Sequence, residues 1–295
     1  MKILDYFKPQ TEKNVICLGR FDGLHLGHKT LIYKGLEIKN QLNDDSKLAV
    51  FIFQRNAAIG RLNAIFTFRE TIETLKGEPV DNVIVAPESR EFYKIDKLDF
   101  LDTIFKNFNP TAIVCGDDYT FGYNREGNKD FLKTYCEERG VSFICLPLVK
   151  IKGEKVSSTK IKEFLSRGQV EEASKLLGEN YFISGNVEKG RGVGKTLGFP
   201  TLNIEIPEEK APLKQGVYVT LVDYGKYQLT SLTNYGNAPT FSSDKVLLET
   251  HILDGEYDLY DKEVKIEFIR YLREIKKFND AQELKEQIEK DVQSI

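Results

Sequence analysis

The sequence predicts two domains: a parallel α/β sheet over residues 1–180, then a six-stranded antiparallel β-barrel with a C-terminal helix over residues 181–295. Three observations predict it. Short apolar runs alternate with helix-length amphipathic stretches through the first half, the pattern of a parallel sheet covered on both faces. Near residue 180 the pattern changes to short strands separated by glycine-rich turns, with no helices between them. The first apolar run of residues 14–30 leads into a turn holding Gly19, Asp22, Gly23 and Gly27 and two of the three histidines in the chain, His25 and His28.

In order, strands are expected over residues 15–18, 48–53, 82–86, 112–115 and 142–146, and helices near 28–41, 67–76, 99–108 and 128–139. Residues 165–180 carry a last, mostly polar helix to the domain boundary. Barrel strands are expected over 181–187, 199–204, 217–223, 226–233, 246–253 and 264–272. The second pair is joined by a tight turn at Asp223–Gly225. Leu284, Ile288 and Val292 repeat at i, i+4, i+8, so the closing helix over 279–292 has one face to bury.

The 295 residues carry a formal net charge of −3, which argues against a broad nucleic-acid or anionic-membrane surface. No apolar run is long enough to span a bilayer, and the N-terminus lacks the features of a secretory signal. Cys17, Cys115, Cys136 and Cys145 form no CxxC pair. Three of them sit in strand-like runs, so free thiols in a reducing cytoplasm are expected and a zinc site is not.

A strand, a glycine turn and a helix aim backbone N–H groups and a helix N-terminus at a phosphate. In parallel sheets ligands bind beyond the carboxyl ends of the strands, where residues 19–28 fall. Two further stretches reach for the same edge. One is GDDYTFGYNREGN, residues 116–128, read as a long irregular loop that includes Asp118. The other is VSSTKIKEFLSRG, where Ser157, Ser158 or Thr159 can cap a helix carrying Lys160 and Lys162. In the second half, KGRGVGKTLGFPTLN places Gly190, Gly194 and Gly198 four residues apart, with Arg191 and Lys195 between them. Such a loop lets backbone approach a polyphosphate, although no Walker loop is present. Thr201 and Asn203 face one side of an extended segment, an oxygen pair suited to Mg²⁺. Arg270 and Arg273 are either phosphate contacts or solvated.

GRFDGLHLGH resembles the HxGH signature of the nucleotidyltransferase superfamily, SSTKIK its second signature, and GDDYTFG a segment of the adenylyltransferase half of bacterial bifunctional riboflavin kinase/FAD synthetases. GFPTLN, TNYGNAPTF, LETHILD and residues 272–291 resemble, in order, the motifs of the riboflavin kinase half. The resemblance covers about residues 14–292 and implies a Rossmann-like nucleotidyltransferase domain followed by a riboflavin kinase barrel. It implies that His25 and His28 contact the ATP phosphates during adenylyl transfer to FMN. Gly19, Phe21, Asp22, Gly23, Gly27, Asp118, Ser157, Ser158, Thr159 and Lys162 are the implied nucleotide contacts. In the barrel it implies a MgATP site at Gly190, Gly194, Lys195, Gly198, Pro200, Thr201 and Asn203, with Thr201 and Asn203 on the metal. Glu249 is the implied base for the riboflavin 5′-hydroxyl; His251 beside it carries no assigned role. Two departures stand out: Lys162 replaces the usual arginine, and FQRNAA replaces a proline–histidine segment.

The expected activity is therefore ATP-dependent phosphorylation of riboflavin to FMN and adenylylation of FMN to FAD in the cytoplasm. Expected partners are the small molecules ATP, riboflavin, FMN and FAD, with no nucleic acid, membrane or obligate protein. Two alternatives stay open at this point: a riboflavin kinase with an impaired adenylyltransferase domain, and a non-catalytic flavin-binding regulator.

Overall fold

The computed structural model describes residues 1–54, 63–189, 198–237, 246–253, 255 and 257–295. The chain divides into two compact units, Met1–Ser158 and Thr159–Ile295.

The first unit contains β1 (Lys2–Asp5), β2 (Asn14–Leu18), α1 (Leu26–Leu42), β3 (Lys47–Gln54), α2 (Phe68–Lys76), β4 (Asn82–Pro87), α3 (Lys97–Phe108) and β5 (Pro110–Gly116). It continues with β6 (Thr120–Phe121), β7 (Gly127–Asn128), α4 (Lys129–Glu137), β8 (Ser142–Leu146), β9 (Lys150–Ile151) and β10 (Glu154–Lys155). Six strands form a wholly parallel sheet in the order β1-β4-β3-β2-β5-β8. After β2 the chain moves outward through β3 and β4, then crosses back to β5. The order therefore reverses at β2 and β5, and the carboxyl edge there is the ligand-binding crevice of such sheets. Alternate residues feed two cores. Val15, Cys17, Leu48, Val50 and Val83 pack with residues of α1 on one face. Ile16, Leu18, Phe51, Ile84 and Ile113 pack with residues of α3 and α4 on the other.

The edge strand β1 was not expected from sequence. The stretch 116–128 differs from the long irregular loop expected there. Thr120–Phe121 pairs with Gly127–Asn128, a short 3₁₀ turn spans Tyr123–Arg125, and Phe121 is buried in the core.

The second unit contains α5 (Ser158–Ser166, whose first residue belongs to the first unit), α6 (Val170–Leu177), β11 (Tyr181–Asn186), β12 (Leu202–Glu205) and β13 (Gly216–Tyr224). It ends with β14 (Tyr227–Asn237), β15 (Val246–Ile252), β16 (Glu263–Arg273) and α7 (Ala281–Gln293). The sheet order is β11-β16-β13-β14-β15-β12, antiparallel throughout, and just past β11 the Glu188 amide donates to the carbonyl of Asn203 in β12 at 2.8 Å. The barrel is thus nearly closed. Its interior holds Tyr181, Tyr218, Leu248, Ile266 and Phe268, all fully buried. Thr220, Ser231, Thr233 and Thr250 form a buried hydroxyl chain across β13, β14 and β15, with links of 2.7–2.8 Å, so no interior hydroxyl in it lacks a partner.

The division at 158/159 precedes the expected boundary at 180 because α6 lies on β11 and β16 of the barrel. The β13–β14 turn falls at Gly225–Lys226, between paired Tyr224 and Tyr227, one step beyond the expected place. Gly225 takes a φ of 65° there.

Candidate active sites

The loop after β2 is an unusual backbone. Phe21, Gly23 and Leu24 all have left-handed φ, at 45°, 84° and 42°. Non-glycine residues hold this region only when their surroundings dictate it. Here Phe21 and Leu24 are locked by burial. Asp22 Oδ1 accepts from the Ile65 amide at 2.9 Å, and its carbonyl accepts from Ser158 Oγ at 2.9 Å. Asp22 therefore fastens the turn to residues 65 and 158.

The fastened loop delivers two histidines to the start of α1. His25 is the N-cap residue, and its Nδ1 accepts from the His28 amide at 3.4 Å. An accepting Nδ1 leaves the ring proton on Nε2. The His25 and His28 rings stack at 3.7 Å with 14° between their planes, and Phe21 backs His28 at 4.8 Å. Gly27 fits because a Cβ there would lie 3.1 Å from the His25 ring. Both histidines are buried. Burial pushes His25 down to about 4, against the opposing pull of Asp22. His28 lies well below its ordinary range, through burial and then the neighbouring His25. His28 Nδ1 is buried without a hydrogen-bond partner among the described residues. The first turn of α1 carries no acidic side chain. Its free N–H groups and positive dipole end stay available to an anion.

The second signature reaches the same turn through Ser158. Ser157 and Lys162 are half-buried and Thr159 is exposed. Asp118 is exposed and pairs with Lys155 at 2.6 Å. Both charges act on His25, which places them near the histidine pair. Lys155 was missed in the sequence, although it directly precedes VSSTK. Glu88 was missed as well: it is buried at the end of β4, where Tyr93 Oη donates to its Oε1 at 2.5 Å.

In the barrel, Asn203 on β12 lies directly opposite Glu249 on β15, and Glu249 lies opposite Asn234 on β14. Such pairs share one face of a sheet. All three are half-buried, whereas Leu248 and Thr250 on either side of Glu249 are fully buried inside. Glu249 therefore belongs to the outer face. Val217, paired with Asn234, lies on that face too and packs with Leu232 and with Val292 of α7. Thr201 precedes Asn203 by two residues and is half-buried. His251 has a structural role: its Nδ1 bonds the Pro200 carbonyl at 2.9 Å and its ring meets Phe199 edge-on at 5.3 Å. This ties the Gly198–Thr201 segment to β15. Arg273 is neither a free phosphate contact nor solvated. It grips buried Asp291 through three bonds of 2.7–3.0 Å, while Arg270 donates to the Ser294 carbonyl at 3.2 Å. Both arginines hold α7.

Gly190, Arg191, Gly194 and Lys195 lie outside the described residues, as do Arg55 and residues 238–241. Among the described residues no cluster of three His, Cys, Asp or Glu side chains is suited to a metal. The available donors are the hydroxyl of Thr201 and the amide oxygen of Asn203. Hard oxygen donors of this kind fit a Mg²⁺ that takes its remaining ligands from nucleotide phosphates and water. All four cysteines are free, with Cys17, Cys115 and Cys136 buried and Cys145 half-buried. No helix of the described residues is long and apolar enough to cross a membrane.

A family model of FAD synthetase matches residues 7–160, and one of riboflavin kinase matches residues 177–295. The bifunctional riboflavin kinase/FMN adenylyltransferase of Haemophilus influenzae is 33% identical over 95% of this chain and 92% of its own length. The Escherichia coli K12 protein of the same name is 30% identical over 94% and 90%. A crystal structure described as a macrolide-efflux protein from Streptococcus pneumoniae superposes with a TM-score of 0.86 at 27% identity, covering 99% of this chain and 97% of that one. The two domain matches in this order, and relatives at these identities over nearly the whole length, show that the chain belongs to the bifunctional riboflavin kinase/FMN adenylyltransferase family.

Proposed function

We propose that this chain makes FAD from riboflavin and two molecules of ATP. The reading rests on one observation: each unit carries its own phosphate-directed constellation, His25 and His28 at the start of α1 and the Asn203–Glu249 pair on the barrel. The functional boundary falls between residue 160, where the FAD synthetase match ends, and residue 177, where the riboflavin kinase match begins.

In the barrel, Glu249 takes the proton of the ribityl 5′-hydroxyl. That oxygen bonds the γ-phosphorus of ATP, the bond to the β,γ-bridging oxygen breaks, and FMN and ADP result. Gly190, Gly194, Lys195, Gly198 and Pro200 cradle the nucleotide, with Thr201 and Asn203 as ligands for Mg²⁺. The metal supplies charge neutralisation for the transferring phosphoryl group.

In the first unit the FMN phosphate attacks the α-phosphorus of a second ATP and pyrophosphate leaves. His25 and His28 are held neutral, so they act as N–H donors to the phosphates rather than as fixed cations. Donors already aimed at developing charge need no reorganisation during the reaction. Gly19, Phe21, Gly23 and Gly27 shape the loop, and Asp22 holds it. Asp118, Ser157 and Ser158 complete the nucleotide contacts of this unit. Free, buried thiols suit a reducing compartment, the cytoplasm.

The test is incubation of pure protein with riboflavin, ATP and Mg²⁺, followed by chromatographic separation of the flavins. FAD is expected, and chelation of the metal should abolish it. FMN alone would reduce the reading to a kinase; neither product would overturn it.

A further inference from the structure

The ladder between β12 and β15 begins at Leu202, opposite Thr250. Thr201, one residue earlier, lies outside it. It follows Gly198, whose φ of 89° belongs to the left-handed region, and Pro200, which has no N–H to pair. A hydroxyl presented from such a strand end needs another anchor, and His251 supplies one. It sits two residues after Glu249 on β15, so the two side chains share the outer face of the barrel. Its Nδ1 lies 2.9 Å from the Pro200 carbonyl oxygen. A carbonyl only accepts, so Nδ1 carries the proton. The same ring meets Phe199 edge-on at 5.3 Å. One side chain thus grips the two residues immediately before Thr201.

The Pro200 carbonyl and the Thr201 amide belong to one planar peptide unit. A bond to the carbonyl therefore fixes the plane from which Thr201 starts. Asn203 is placed differently, by its register opposite Glu249. Register holds one of the two oxygen donors, and His251 holds the other. We propose that His251 is a positioning residue for phosphoryl transfer in the barrel, its Nδ1–H holding the Pro200–Thr201 peptide so that the Thr201 hydroxyl and the Asn203 amide oxygen meet MgATP together. This rests on the kinase reading above.

The chain has only three histidines, so NMR of the metal-free protein labelled with ¹⁵N-histidine reads each ring separately. His251→Leu identifies the His251 signal by its loss. An Nδ1–H tautomer is expected for His251; an Nε2–H tautomer would overturn the proposal. Kinase kinetics then compare the wild type, His251→Leu and His251→Asn, whose amide Nδ2 stands close to where Nδ1 was. The leucine variant should raise the KM for MgATP about 3–10-fold, the factor that one neutral hydrogen bond supports, and leave the KM for riboflavin within about twofold. The asparagine variant should recover most of the loss. Adenylylation of FMN by the same preparations should be unchanged. A role confined to folding would lower the urea midpoint without moving the KM for MgATP, or would impair adenylylation as well, and either result would overturn the proposal. An asparagine variant as poor as the leucine one would assign the effect to ring packing on Phe199, and would overturn it too. A wild type that forms no FMN from riboflavin would instead overturn the kinase reading, and this proposal with it.

Discussion

His25 and His28 show how burial decides a residue's chemistry. An exposed histidine near its ordinary range would offer phosphate a partial positive charge, but these two are kept neutral by desolvation. In the proposed adenylyl transfer their contribution is directional hydrogen bonding at the helix N-terminus. Replacing His28 with Ala should lower the rate of FAD formation from FMN on the order of 10²–10³-fold, the usual cost of a preorganised transition-state donor. Survival of nearly full activity in a steady-state assay would remove His28 from the catalytic groups. The same burial has a stability consequence. Unfolding returns His25 from about 4 to near 6.5, so between these values the unfolded chain binds more protons. Stability from this source is complete above about pH 6.5 and is lost as pH falls towards 4. A His25→Asn variant cannot titrate there. Its urea midpoint should fall less than the wild type's between pH 7 and 4.5; identical slopes would contradict the assignment.

At the level of elements, α7 shows a helix held to the barrel by the Arg273–Asp291 ion pair and a few apolar contacts. Most of its surface is exposed or half-buried, and Asp291 is the one buried residue in it. Removing Asp291 would leave Arg273 part-buried without its carboxylate. Asp291→Ala should therefore cost on the order of 2–3 kcal/mol. Because Val292 packs on the barrel face that also carries Glu249, the same change should raise the KM for riboflavin. Urea titration and kinase kinetics check the two effects separately, and an unchanged midpoint would show that the pair does not hold the helix. The central strands were legible because each is a short apolar run, and the helices because their apolar residues recur on one face. β1 was not: only Leu4 of KILD is buried, so a four-residue edge strand shows neither pattern. The pairing of the two histidines was legible from HxGH spacing, since both rings meet through local geometry at one helix start. The burial of Glu88 was hidden because it depends on strand ends that are far apart in the chain. The assignment of α6 was hidden for a related reason: an amphipathic helix does not record which sheet it will cover.

For the whole molecule, the central fact is that two compact units carry separate candidate sites, each with its own core. The Asn203–Glu249 pair depends on register within the barrel, and the histidine pair on the loop after β2. No residue in either constellation serves the other. A variant lacking one should thus retain the other reaction. Glu249→Gln, which keeps the side-chain shape but removes the base, should abolish FMN formation while still adenylylating added FMN. Since FMN is the one compound that the first reaction makes and the second consumes, separate molecules can share the work. An equimolar mixture of Glu249→Gln and His28→Ala proteins should convert riboflavin to FAD, whereas Glu249→Gln alone forms none and His28→Ala alone accumulates FMN. FMN should appear first and FAD after a lag that shortens as protein concentration rises, because the intermediate travels through solution. A mixture that accumulated FMN without forming FAD would mean that FMN must be handed over within one chain, and the independence of the two sites would be wrong.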